Sequence, residues 1–313
     1  MQILRSLVLV VAVTALTAGC QAASGDDAST TSTFAPMSTT TTTSQPTTTS
    51  TESPGSKPST TITTVATTTT TTIPEPECVV REIGTDEDFY RMTCEQTGIT
   101  IAAAESIAPG ALEAAADRMG ALLSARPEFA AAVAASIEQV SIIGRDQRIT
   151  ALPEFEDLYS IHPGTDWNRL GRSFPGTEEI PVAAGAEENL LCLESDRYEG
   201  EDMFVREFGW TIRRFGITTV DPDLNRSIED AYNRAIAADL WRNTVAEVNS
   251  DQYWAEGVQS FFDVNNEEKD EKDQIHNQID TRDELRSYDP FLHELLVEVF
   301  GETEWRPECG SDA

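Results

Sequence analysis

The sequence predicts an α+β domain, a small sheet followed by a mostly helical second half, and three observations carry that reading. Ala-rich helical stretches and short β-branched runs share residues 100–193. Five amphipathic segments then succeed one another from residue 202 to 300. The first quarter of the chain is nearly devoid of large apolar side chains and cannot contribute to a core.

In chain order, Thr100 to Ile107, Gly110 to Leu123 and Glu128 to Glu138 read as helical. Gln139-Val140-Ser141-Ile142-Ile143 reads as a strand, a second strand includes Ile180 to Ala183, and Asn189 to Leu193 reads as a short buried strand or its edge. Helices are expected over Asp202 to Phe215, Ser227 to Trp241, Ser250 to Asp263, Thr281 to Tyr288 and Pro290 to Phe300. Thr281 and Glu284 have the spacing of a capping box. Phe291, Leu292, Leu295, Leu296, Val299 and Phe300 are expected to form one apolar face.

Charge narrows the function classes. With 22 Lys and Arg against 54 Asp and Glu, the net charge is −32, which disfavours nucleic acid and anionic lipid surfaces as partners. The N-terminus reads as an export signal over residues 1–19: Arg5, an apolar run from Leu7 to Leu16, then Thr17-Ala18-Gly19-Cys20. Those last residues resemble a bacterial lipobox, which implies a lipid on Cys20 and a place on the extracytoplasmic face of the membrane. An ordinary secretory signal would leave Cys20 as a thiol and export the same domain. Residues 20–77 are mostly Thr, Ser, Pro and Ala, too polar to offset the cost of ordering, and read as a stalk reaching on the order of 40 Å.

The remaining cysteines, Cys78, Cys94, Cys192 and Cys309, suit two disulfides in the domain of residues 78–313. Cys78 with Cys94 and Cys192 with Cys309 is the favoured pairing, because the second bond would tie the C-terminus to the middle of the domain. Familiar catalytic signatures such as G-x-S-x-G, the P-loop and H-E-x-x-H do not occur. His162, His276 and His293 stand alone in the sequence and read as surface or satisfied polar residues. Asp221-x-Asp223-x-Asn225 and Asp263-x-Asn265-x-Glu267 lack the glycine that a calcium loop needs, so they read as turns.

One segment points further. Tyr198-Glu199-Gly200-Glu201-Asp202-Met203-Phe204-Val205-Arg206-Glu207-Phe208-Gly209-Trp210-Thr211-Ile212 resembles the active-site helix of secreted gluzincin-type zinc metallopeptidases of the anthrax lethal factor-like group. Leu152-Pro153-Glu154, Gly185 to Cys192, Tyr253 to Gln259 and Thr281 to Pro290 extend the resemblance over roughly residues 149–307. It implies a zincin-like fold, a small mixed sheet packed on the active-site helix.

The resemblance also implies where the chemistry has changed. The two histidine positions of H-E-x-x-H hold Arg206 and Trp210, neither of which offers a lone pair to zinc, while Glu207 matches the general base. The third ligand position is Gln252, the following glutamate of that motif is matched by Glu256, and the tyrosine expected beside the oxyanion falls on Val245. If Glu256 were the ligand instead, two histidines would still be missing. The leading expectation is a lipid-anchored pseudopeptidase without zinc or other cofactor, acting as a peptide- or protein-binding or scaffolding module, with Arg206 neutralising Glu207 and Glu256. Arg206 and Trp210 read as packing replacements in a dead cleft, and the sharper reading beside it is a cleft that still accepts an extended peptide without cutting it. Two alternatives to the pseudopeptidase stand beside it: a hydrolase with an altered, zinc-containing site around Glu207 that His276 or His293 could join, and a structural cell-surface protein.

Overall fold

A computed structural model describes residues 78–85, 88–167, 171–266 and 275–307. The leader, the stalk, Cys20 and Cys309 lie outside these residues. The six described strands form one mixed sheet: β1 (Arg81–Glu82), β2 (Met92–Gln96), β3 (Ile99–Ala103), β4 (Gln139–Ile143), β5 (Ser173–Phe174) and β6 (Val182–Ala186). Their order is β1-β2-β3-β4-β6-β5. The central pairs β3–β4 and β4–β6 are parallel, and the outer pairs are antiparallel.

The centre of the sheet is covered on both faces, which explains why β4 is buried along nearly its whole length, Ser141 included. Val140, Ile142 and Ala183 enter the main core. Ile143, Val182 and Ala184 point the other way, into a smaller core with Leu152, Phe155, Trp167 and Phe174. Around the sheet stand α1 (Pro109–Leu123), α2 (Pro127–Ser136), α3 (Leu158–Ile161) and α4 (Glu187–Leu190). The second half follows as α5 (Met203–Thr211), a π-helical turn (Ile212–Ile217), α6 (Thr218–Val220), α7 (Pro222–Ala237), α8 (Ser250–Phe261), α9 (Arg282–Tyr288) and α10 (Pro290–Phe300).

Several sequence expectations need correction. Thr100 to Ile107 is not helical: β3 occupies Ile99–Ala103 and a turn follows. Its Ile99 and Ile101 are buried and Thr100 is exposed, an alternation that the alanines masked. Asn189 to Leu193 is not a strand, because β6 stops at Ala186 and one helical turn succeeds it. β6 itself begins at Val182 rather than Ile180. The helix expected from Ser227 starts earlier, at Pro222, where Asp221 caps it by accepting from the Leu224 N–H at 3.0 Å. It stops at Ala237, well short of Trp241, which lies in a turn with φ 59°.

On α10 the buried residues are Leu292, His293, Leu296, Val299 and Phe300, while Phe291 is 51% exposed beneath the Arg234 guanidinium. The Thr281–Glu284 capping box is present as expected, as is the Cys78–Cys94 disulfide. Cys192 is disulfide-bonded as well. Among the described residues no helix is long and apolar enough to cross a membrane.

The approach of α5 to α8 sets up the polar centre. A Cβ at Gly209 would stand 2.8 Å from Val258 Cγ1, so glycine lets the helices touch. The Trp254 indole N–H, from α8, donates to the Gly209 carbonyl at 3.0 Å. Gly209→Ala is therefore expected to lower stability by roughly 1–3 kcal/mol through overpacking, measured by urea unfolding. An unchanged midpoint would mean that this contact is not tight.

Candidate functional site

Asp202 fixes the start of α5. Its carboxylate accepts from the Val205 N–H at 2.8 Å and from the Arg118 Nε–H at 2.5 Å, with both side chains buried. Asn189 adds a second clamp: its Oδ1 accepts from the Met203 N–H at 2.9 Å, and its amide donates to the Glu201 carbonyl at 2.7 Å. Beside it, Glu187 accepts from the Ala108 and Arg145 N–H groups, and Glu188 pairs with Arg172 through two bonds of 2.7 and 2.5 Å. Glu187, Glu188 and Asp202, all before or at the start of α5, are thus internal structure.

At the far end of α5 an extra residue per turn opens the π-helical stretch, and Arg213 is buried there. It donates to Asn225 Oδ1 and Ser250 Oγ and lies 3.0 Å from Asp251 Oδ1. The first calcium-like sequence is consequently used up in capping and bonding, by Asp221 and Asn225. In the second, Asp263 binds the Arg282 N–H and the Arg306 guanidinium, and Asn265 binds Glu256. Glu267 lies outside the described residues.

Between these fixed ends, α5 and α8 bring four of the expected site residues together. Arg206 Nη1 donates to Glu207 Oε1 at 2.6 Å, its Nη2 donates to Gln252 Oε1, and its Nε lies 3.8 Å from Glu256 Oε2. All four side chains are at least nine-tenths buried. Spacing of four residues along α8 places Gln252 and Glu256 on one face, and the i+4 relation puts Trp210 one turn beyond Arg206. Trp210 is half-buried, and no hydrogen bond or ring contact joins it to the cluster among the described residues. Val245 is buried in the turn before α8, where its N–H donates to the Ile275 carbonyl at 2.9 Å.

His276 stands alone in the sequence, and the fold brings it to the cluster. Its Nδ1 is 2.8 Å from Glu256 Oε1 and its Nε2 is 3.4 Å from Glu201 Oε1. Asn265 donates to the same Glu256 oxygen at 3.1 Å. His276 is thus a satisfied polar residue. The other two histidines stay elsewhere: His162 lies against the Trp167 ring, and His293 lies against Phe261 with no hydrogen-bond partner for its Nε2 among the described residues.

Two cations, Arg206 and His276, face three carboxylates, Glu201, Glu207 and Glu256. Burial pulls the His276 imidazole down, but hydrogen bonds and charge from Glu201 and Glu256 outweigh it and raise the pKa to about 10. Burial is also the largest influence on Glu256 and pushes it up; His276, Arg206 and Asn265 together hold it below the usual carboxylate range. Glu207 has Arg206 alone to oppose burial and stays above that range. An imidazolium with a carboxylate at each nitrogen can donate from both.

Zinc does not fit this arrangement. The donors that the resemblance would offer to zinc are committed: Glu207 and Gln252 accept from the Arg206 guanidinium, and Glu256 accepts from His276 and Asn265. The cluster can balance charge and accept hydrogen bonds, whereas Arg206 offers donors only.

A proton linkage follows from His276. Its folded pKa lies above the unfolded value of 6.5, so its contribution to stability is complete below about pH 6.5 and is lost as pH rises through about 10. Relative to His276→Gln, the native chain should lose stability across that window with a slope of up to about 1.4 kcal/mol per pH unit. Denaturant titrations at pH 6, 8 and 10 measure it, and parallel curves for the two proteins would contradict the ion pair.

No protein-family model, no curated protein and no solved structure matches the chain.

Proposed function

We propose that this chain is a lipid-anchored, extracytoplasmic pseudopeptidase: a metallopeptidase-like domain that binds a peptide or protein without cutting it, held off the membrane by its stalk. One observation carries the reading. At the positions where the gluzincin resemblance puts a ligand, the base and a further ligand stand Arg206, Glu207 and Gln252, and the Arg206 guanidinium donates to both of the others, with Glu256 beside it. A guanidinium there supplies the positive charge that carboxylates need when buried, and it lacks the lone pairs and Lewis acidity that water activation requires. Packing a small mixed sheet on α5 agrees with the zincin-like expectation in its coarse outline.

The sheet edge supports the binding part of the proposal. β5 is the outer strand, antiparallel to β6, and the Thr211 hydroxyl at the end of α5 donates to the Pro175 carbonyl just beyond it. An extended peptide added along β5 would run beside the site helix. The altered-hydrolase reading has His276 in its favour, although His276 contacts Glu256 and Glu201 rather than Glu207.

Metal analysis separates the readings. The purified full chain, incubated with zinc and dialysed, should hold far less than one ion per chain and should leave peptide libraries intact. Combining Arg206→His, Trp210→His and Gln252→Glu should raise zinc towards one per chain. Stoichiometric zinc in the native chain, with hydrolysis abolished by Glu207→Gln, would establish the altered hydrolase instead.

A further inference from the structure

The geometry points to residues 275–279 as a strap that closes over Glu256, with His276 as its latch, so that access to the buried cluster requires the strap to open while α5 and α8 stay packed. This inference does not depend on the metallopeptidase reading. The stretch has neither helix nor strand. Among the described residues three hydrogen-bonded places hold it, beside the packing of Ile279 on the main core: the Ile275 carbonyl accepts from the Val245 N–H, the His276 ring bridges Glu256 and Glu201, and the Ile279 carbonyl accepts from the Ser260 hydroxyl at 2.8 Å. His276 is its one residue whose side chain reaches both α8 and the lead-in to α5 among the described residues.

Glu256 gives the strap a reason to open locally. Its Oε1 takes bonds from His276 and Asn265, whereas its Oε2 is buried without a hydrogen bond among the described residues. Opening would let water take the place of His276 at Oε1 and so recover part of the energy lost with the latch. α8, by contrast, keeps its own ladder and buries Tyr253, Trp254, Val258 and Phe261 in the main core. Segments with few ladder bonds open below the global unfolding energy, and this one covers the carboxylate that a cationic ligand group would seek.

Native-state hydrogen exchange on the full chain at pH 7 tests the inference. In His276→Ala the amides of residues 275–279 should exchange about tenfold faster or more, with those of residues 253–259 changed by less than about twofold. Should that variant fail to fold, Glu201→Gln takes the charge from the outer arm, along with a carboxylate that also accepts from Asn266, and should give a smaller increase at residues 275–279 with residues 253–259 again changed by less than about twofold. Equal acceleration of strap and α8, or an unaffected strap in a folded variant, would overturn it.

Discussion

A guanidinium buried where α5 crosses α8 is the constraint around which the second half of the domain is arranged. Arg206 is 8% exposed, and taking such a charge out of water costs several kcal/mol unless anions and acceptors surround it. Glu207, Gln252 and Glu256 do so from two helices, and His276 then balances Glu256 from a third segment. Each member therefore depends on the others being in place. Removing one leaves a buried charge unmatched, even though the whole set contributes less net stability than its bonds suggest.

The same logic explains where some of the chain's acidity goes. Asp202 answers Arg118, Glu188 answers Arg172, and Glu187 takes two backbone N–H groups. These carboxylates set the ends of α1, α4 and α5 against the sheet. Once α5 is capped at Asp202 and continued by the π-helical turn where Arg213 is bonded, the direction of Arg206 is fixed by helix geometry.

Much of the helical half was legible because prolines, caps and apolar spacing punctuate it: Pro290 opens α10, Thr281 and Glu284 mark α9, and Asn249 caps α8. The sheet was less legible. β1 and β5 span two residues each, too short for periodicity, and the alanines of β3 and the polar residues of β2 hid an alternation that pairing reveals. Within the site, helical spacing and the family resemblance brought Arg206, Glu207, Gln252 and Glu256 together on paper. Asn265 was missed, and His276 was foreseen only as an addition to an altered site around Glu207; both come from irregular segments, and nothing local in the sequence signals their bond to Glu256.

A double-mutant cycle between Arg206 and Glu256 tests this account most directly. Arg206→Met and Glu256→Gln each leave the other charge buried with one fewer partner, so each alone should be costly and the pair together should cost less than their sum. A coupling energy of about 1 kcal/mol or more is expected from urea unfolding of the four proteins. Strict additivity within about 0.3 kcal/mol would mean that the guanidinium does not sit against Glu256 and that the buried cluster is not the centre of the fold.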